Sequence, residues 1–141
     1  MASHFLAPML AASAGDGSGL MLWNERSQRP LATHLEGAFD SASRRRGLLG
    51  RDGMAEGSAL IIAPCQAVHT FRMRFPIDIV FADRQGRVVR VRSHVGAGRL
   101  AAAWRAFATI ELPAGAAQHA GVQTGDRLIV VDRTAQRSVR I

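Results

Sequence analysis

Residues 65–83 read CQAVHTFRMRFPIDIVFAD, and Pro76 divides them into two runs of different character. Before the proline, Val68, Thr70, Arg72 and Arg74 fall on one side and His69, Phe71, Met73 and Phe75 on the other. That period of two predicts an extended strand over 68–75 with His69 on an apolar face. After it, Ile77, Ile79 and Phe81 share one face and Asp78, Val80 and Ala82 the other, so a carboxylate sits among aliphatic neighbours. An imidazole and a carboxylate withdrawn from water need hydrogen-bond partners. The plainest expectation is a buried network in which His69, Thr70 and Asp78 tie two strands together. Each group so satisfied avoids a cost of about 1 to 3 kcal/mol.

On the C-terminal side the alternation continues. Residues 77–82 and 87–92, joined by Asp83-Arg84-Gln85-Gly86, predict a hairpin. Residues 109–112 read as a strand, 115–120 as a short helix stopped at Gly121, and 127–132 with 138–141 as a closing strand pair. Between 93 and 108, Leu100, Trp104 and Phe107 have helical spacing, while Gly96 and Gly98 suit a mobile loop over a pocket. On the N-terminal side, 20–23, 31–37 and 60–63 are strand candidates. Asp40 or Ser41 can cap a helix running to about Leu49, with Gly50 as its left-handed stop. Arg44, Arg45 and Arg46 span about 200° of that helix, too much to face one anion, so a mostly solvated face is expected. The resulting class is α+β and β-dominated: a mostly antiparallel sheet or partly closed barrel with two or three short helices.

With 141 residues, 48% of them hydrophobic, the chain suits one globular domain. Residues 20–141 are assigned to it, and 1–19 to a flexible tail, because that apolar and small-residue run ends in a Gly/Ser-rich linker. The Ala12-Ser13-Ala14 sequence gives the tail a weak export character. Against export, no basic residue precedes its apolar part and Pro8 interrupts it. The favoured compartment is therefore the cytoplasm, with export as the alternative. One cysteine excludes an internal disulfide, and no run approaches the roughly 20 apolar residues that span a bilayer. The net charge of +7 comes entirely from arginine. Apart from the triplet at 44–46 the arginines are dispersed and lack interleaved stacking aromatics, which argues against a nucleic-acid partner.

A series of spaced motifs stands in order along the chain: Gly47-Leu48-Leu49-Gly50-Arg51, His69-Thr70 followed by Met73, Phe75-Pro76-Ile77-Asp78-Ile79, Phe81-Ala82-Asp83, Glu111-Leu112-Pro113-Ala114-Gly115 and Gly125-Asp126. With these motifs the stretch from Leu31 to Val131 resembles the bacterial and archaeal family called domain of unknown function 192. The resemblance implies a compact β-rich domain, found alone or behind an export signal, and implies no activity.

Chemistry is therefore argued from side chains. Cys65, His69 and Met73 lie four apart, a spacing similar to that of a copper-binding loop, and His34 could add a second imidazole. On a strand, however, positions four apart are separated by about 13 Å, too far to share a metal at roughly 2 to 2.5 Å, so no metal and no cofactor is expected. A thiol mechanism would need Cys65 activated by His69, with Asp78 orienting the imidazole, yet no helix N-terminus or glycine elbow activates that cysteine. The leading expectation is a non-catalytic accessory module binding an unknown small molecule or protein through Arg51, His69, Thr70, Asp78 and Trp104. The alternative is an enzyme using His69 and Asp78 as an acid–base pair, with Cys65 as a further candidate.

Overall fold

The computed structural model describes residues 3–11 and 19–133. Among them are ten strands and three short helices, a β-dominated α+β fold. The strands are β1 (Leu20–Asn24), β2 (Arg29–Ala32), β3 (His34–Ala38), β4 (Ser58–Ile62), β5 (Ala67–His69), β6 (Ile77–Ala82), β7 (Val88–Val95), β8 (Leu100–Ala102), β9 (Ala108–Pro113) and β10 (Leu128–Asp132). The helices are α1 (Ala7–Ala11), α2 (Ser41–Arg46) and α3 (Ala116–His119). A five-stranded sheet in the order β3-β4-β9-β6-β7 is the centre of the molecule, beside a sheet β10-β1-β2 and a two-stranded ribbon β5-β8. Among the described strands only the β3–β4 pairing is parallel. Among the described residues the sheets do not close into a barrel.

All six β6 residues are buried, as are the first five of β9, because the central sheet is covered on both faces. This is why Ile77–Ala82 reads as a nearly unbroken apolar run. On one face Ile61, Val80, Ala82, Ile110 and Leu112 pack in a cluster with Leu22 and Leu128 of the smaller sheet and Ala117 of α3. On the other, Leu60, Ile62, Ile77, Ile79 and Phe81 cluster with Leu48, Met73, Ala101 and Ala106.

Asp78 is fully buried on the first face. One carboxylate oxygen accepts the His94 amide at 2.9 Å, and the other accepts those of Gly115 at 3.0 Å and Ala117 at 2.9 Å. The first bond holds a bulge: Ile77 pairs with Val95 and Ile79 with Arg92, so two β7 residues oppose Asp78. His94 takes a φ of 52° there, a left-handed conformation that a non-glycine residue adopts only when its surroundings impose it. The other two bonds serve the start of α3, whose N-cap Gly115 has no side chain to offer.

The predicted hairpin is present as β6–β7, and its turn is organised by Asp83, whose carboxylate accepts the amides of Gln85 and Arg87 at 2.9 Å. Gly86 is required here, because a Cβ on it would stand 2.2 Å from the Leu128 carbonyl oxygen. Several expectations are corrected. The strand over 68–75 stops at His69, and the chain turns through 70–76 with Arg72 at a φ of 65°. The strand over 31–37 bends at Thr33, whose amide donates to Gly57, and its halves join different sheets. α2 ends at Gly47 rather than near Leu49. Residues 93–108 are neither helix nor long loop but the end of β7, a turn, β8 and a second turn. β10 pairs with β1, and the expected strand over 138–141 lies outside the described residues. Within the expected tail, Leu6 and Met9 are buried in the core and the Phe5 amide bonds to Arg84. Among the described residues, no helix is long and apolar enough to cross a membrane.

Replacing Asp78 strands three backbone donors, that of Ala117 buried and those of His94 and Gly115 partly so, and Asp78→Ala is predicted to lower stability by about 2 to 4 kcal/mol. Asp83→Ala, at an exposed turn, should cost less. Chemical denaturation of both variants checks the order, and an Asp78→Ala variant as stable as wild type would contradict the role given to this carboxylate.

Candidate functional site

On the second face of the central sheet the covering layer is incomplete and leaves an open cleft of about 480 Å³. Its lining comes from α2 and the 47–49 turn on one side, from residues 64–69 and Met73 on the other, and from Ile62 and Glu111 of the sheet itself. The 64–69 side is fixed to β9: the Cys65 amide donates to Phe107 at 2.9 Å and the Thr109 hydroxyl donates to the Cys65 carbonyl at 3.1 Å. The α2 side is set by Asp40, which accepts the Ser43 amide at 2.8 Å, and by Arg44, which reaches across to the Pro64 carbonyl at 3.1 Å.

Glu111 is the unusual group. It pairs with Leu60 of β4 and Ile79 of β6, so its strand neighbours are aliphatic, and only 5% of its surface is exposed. Among the described residues no group donates a hydrogen bond to its carboxylate. The turn after α2 lies over it, with the Cβ position of Gly47 at 3.9 Å from Oε1. Burial pushes its pKa up to about 7, against the opposing pull of the Arg51 charge.

The residues expected to form one site are dispersed. His69 is exposed at the cleft rather than buried on an apolar face, its ring stacked on Phe71 at 5.1 Å between centroids. Thr70 is buried, but its hydroxyl donates to the Gly96 carbonyl at 2.7 Å and accepts the Arg99 amide at 2.9 Å, clamping the turn after β7. Asp78 lies on the opposite face of the sheet with backbone partners only, so the expected His69–Thr70–Asp78 network does not form. Arg51 is held by Glu36 through two bonds of 3.0 and 2.7 Å. Trp104 is 77% exposed, with Arg105 over its ring at 5.0 Å, and is not among the residues lining the cleft. Because the chain turns after His69, Cys65, His69 and Met73 do open on one cleft, which removes the extended-strand reasoning applied to them. Among the described residues, even so, no three His, Cys, Asp or Glu side chains gather as a metal-binding group.

The family model DUF192, described as Uncharacterized ACR, matches residues 22–130. The chain belongs to the DUF192 family. Two solved structures share its fold. One is a protein of unknown function from Novosphingobium aromaticivorans DSM 12444, with a TM-score of 0.67 at 20% identity, covering 77% of this chain and 81% of that one. The other is a candidate transcription regulator from Sinorhizobium meliloti 1021, with a TM-score of 0.66 at 23% identity, covering 77% of this chain and 89% of that one. At these identities the likeness establishes the fold alone. No curated protein matches the sequence.

In this DUF192 domain the cleft residues that sequence reasoning missed are Glu111 and the arginines of α2. The signal for Glu111 was a carboxylate inside the apolar strand 109–112, the same signal that marked Asp78. The arginine triplet, expected to be a solvated face, lines the cleft.

Glu111 titrates from 4.5 in an unfolded chain to about 7 in the folded one, so between those values the folded state holds a proton that the unfolded state releases. Its contribution to stability is therefore complete below pH 4.5 and is lost as pH rises through about 7, a change on the order of 3 kcal/mol. Glu111→Gln should remove that slope and exceed wild type in stability at pH 8, a comparison made by urea denaturation across the range. Parallel pH profiles for the two proteins would show that the carboxyl is not buried as described.

Proposed function

We propose that this DUF192 domain is a non-catalytic binding module that takes a small ligand in the cleft over Glu111. The observation that carries this reading is Glu111, a residue 5% exposed whose carboxylate has no hydrogen-bond donor among the described residues and lines a concave surface open to solvent. A buried polar group left without a partner costs stability, and a group arriving from outside removes that cost. The volume, about 480 Å³, is in the range of small-molecule sites, and the walls combine apolar side chains with a few polar ones, as such sites do. An acid–base pair of His69 and Asp78 is disfavoured because Asp78 is saturated by three backbone donors on the far side of the sheet.

The test is a fragment screen by NMR with small amines, carboxylates and zwitterions, mapped on the labelled full chain. Hits should shift the amides of Gly47, Leu48, Val68 and Glu111 and should be lost in Ala67→Trp, which places a bulky side chain on the cleft wall. Hits that cluster elsewhere and ignore Ala67→Trp would overturn the assignment. Turnover of a bound probe, abolished by Glu111→Gln, would replace the non-catalytic reading with an acid–base enzyme.

A further inference from the structure

The cleft contains two unmet hydrogen-bonding needs of opposite kind. At its base Glu111 is an acceptor that no described residue supplies with a donor. Arg51, the cation that acts on it electrostatically, is already engaged with Glu36. On its α2 side, the Nε of Arg44 is buried and has no acceptor. Arg45 donates only to the Ser41 carbonyl of its own helix, at 3.3 Å, and among the described residues none of Arg44, Arg45 and Arg46 is in an ion pair with a carboxylate. Between the two ends the walls are apolar, with Leu48, Ile62, Val68 and Met73.

A purely anionic ligand would satisfy the arginines and leave the carboxylate bare, while a purely cationic one would do the reverse. We propose that the ligand is a small zwitterion with an apolar body, its ammonium end on Glu111 and its carboxylate end on Arg44, the arginine of α2 whose Nε is buried without an acceptor. This rests on the cleft being a binding site, and it adds the chemical class of what binds. Charge-assisted bonds at both ends supply affinity, and the apolar body supplies the area removed from water.

The pairing has a pH signature. Arg51 is the charge that acts on Glu111, the other charged or titratable groups lining the cleft are the three arginines of α2, Cys65 and His69, and the neighbours of Glu111 on β4 and β6 are Leu60 and Ile79. An ammonium binds the ionised carboxylate, so below about pH 7 binding must first expel a proton and affinity falls with acidity. Above about pH 8 an α-amino group loses its own charge. Affinity therefore peaks between these values.

The experiment uses the full chain with the dipeptide Leu-Leu and its N-acetyl and C-amide forms, followed by NMR titration. At about pH 7.5 each capped form should bind about tenfold more weakly than the free dipeptide, the loss expected for one charge-assisted bond. Glu111→Gln should erase the preference for the free amine and flatten the pH profile, which separates Glu111 from His69. Arg44→Gln should erase the preference for the free carboxylate and keep that for the amine. If capped and free forms bind equally while still shifting Gly47 and Leu48, the zwitterion class is wrong and the cleft remains a binding site. If none of the three shifts cleft resonances at millimolar concentration, the class is also wrong, and the fragment screen decides independently whether the cleft binds anything. The capped peptides act on the wild-type protein, so the result does not depend on any variant folding.

Discussion

The constraint on which the structure depends is that β6 and β9 are buried on both faces. A polar side chain in either strand has little access to bulk water, so most of its solvation must come from groups that the rest of the chain delivers. Asp78 and Glu111 occupy adjacent central strands and point to opposite faces, Asp78 paired with Leu112 and Glu111 with Ile79. The same constraint has opposite outcomes for them. Asp78 receives three backbone N–H groups, and the act of solvating it fixes the bulge in β7 and the start of α3. Glu111 receives none from the described residues, and the surface above it is open.

A third buried carboxylate shows what full compensation does to ionisation. Burial of Asp126 works to raise its pKa, but hydrogen bonds from Arg26, Asn24 and the Gln123 amide, with the Arg26 charge, outweigh it and hold the group below its ordinary range. That network joins the end of β1 to the turn before β10, across most of the chain's length. Its stabilisation is present at neutral pH and lost as pH falls through the lowered pKa, the reverse of the Glu111 dependence. Asp78 and Asp126 thus act as structural fastenings, whereas Glu111 is a carboxylate whose partner is not supplied by the fold.

The cleft follows from local stops rather than from a missing element. α2 is only six residues long and ends at Gly47, which turns Leu48 into the core and leaves the arginines of its last turn at the opening. Opposite, β5 ends at His69 because the chain reverses through Thr70, whose hydroxyl clamps residues 96–99. Two short elements, each held by one polar side chain, therefore flank a gap that neither is long enough to close.

The sequence by itself determined those features that depend on neighbours along the chain. The alternation of Ile77–Ala82 placed Asp78 among aliphatic residues and predicted its burial, Asp83 with Gly86 marked the hairpin turn, and Asp40 marked the start of α2. These are short-range properties of backbone period, capping and turn chemistry. Tertiary structure decided the rest. Periodicity carried the strand through His69 to Phe75, but a turn at Arg72 with positive φ, stabilised by bonds to residues 96–99, left His69 exposed. Glu111 carried the same signal as Asp78, a carboxylate in an apolar strand, but whether such a group is solvated depends on what lies above its strand. The covering residues come from 47–49 and 64–69, far away in sequence, and no local pattern records that they stop short of closing over it.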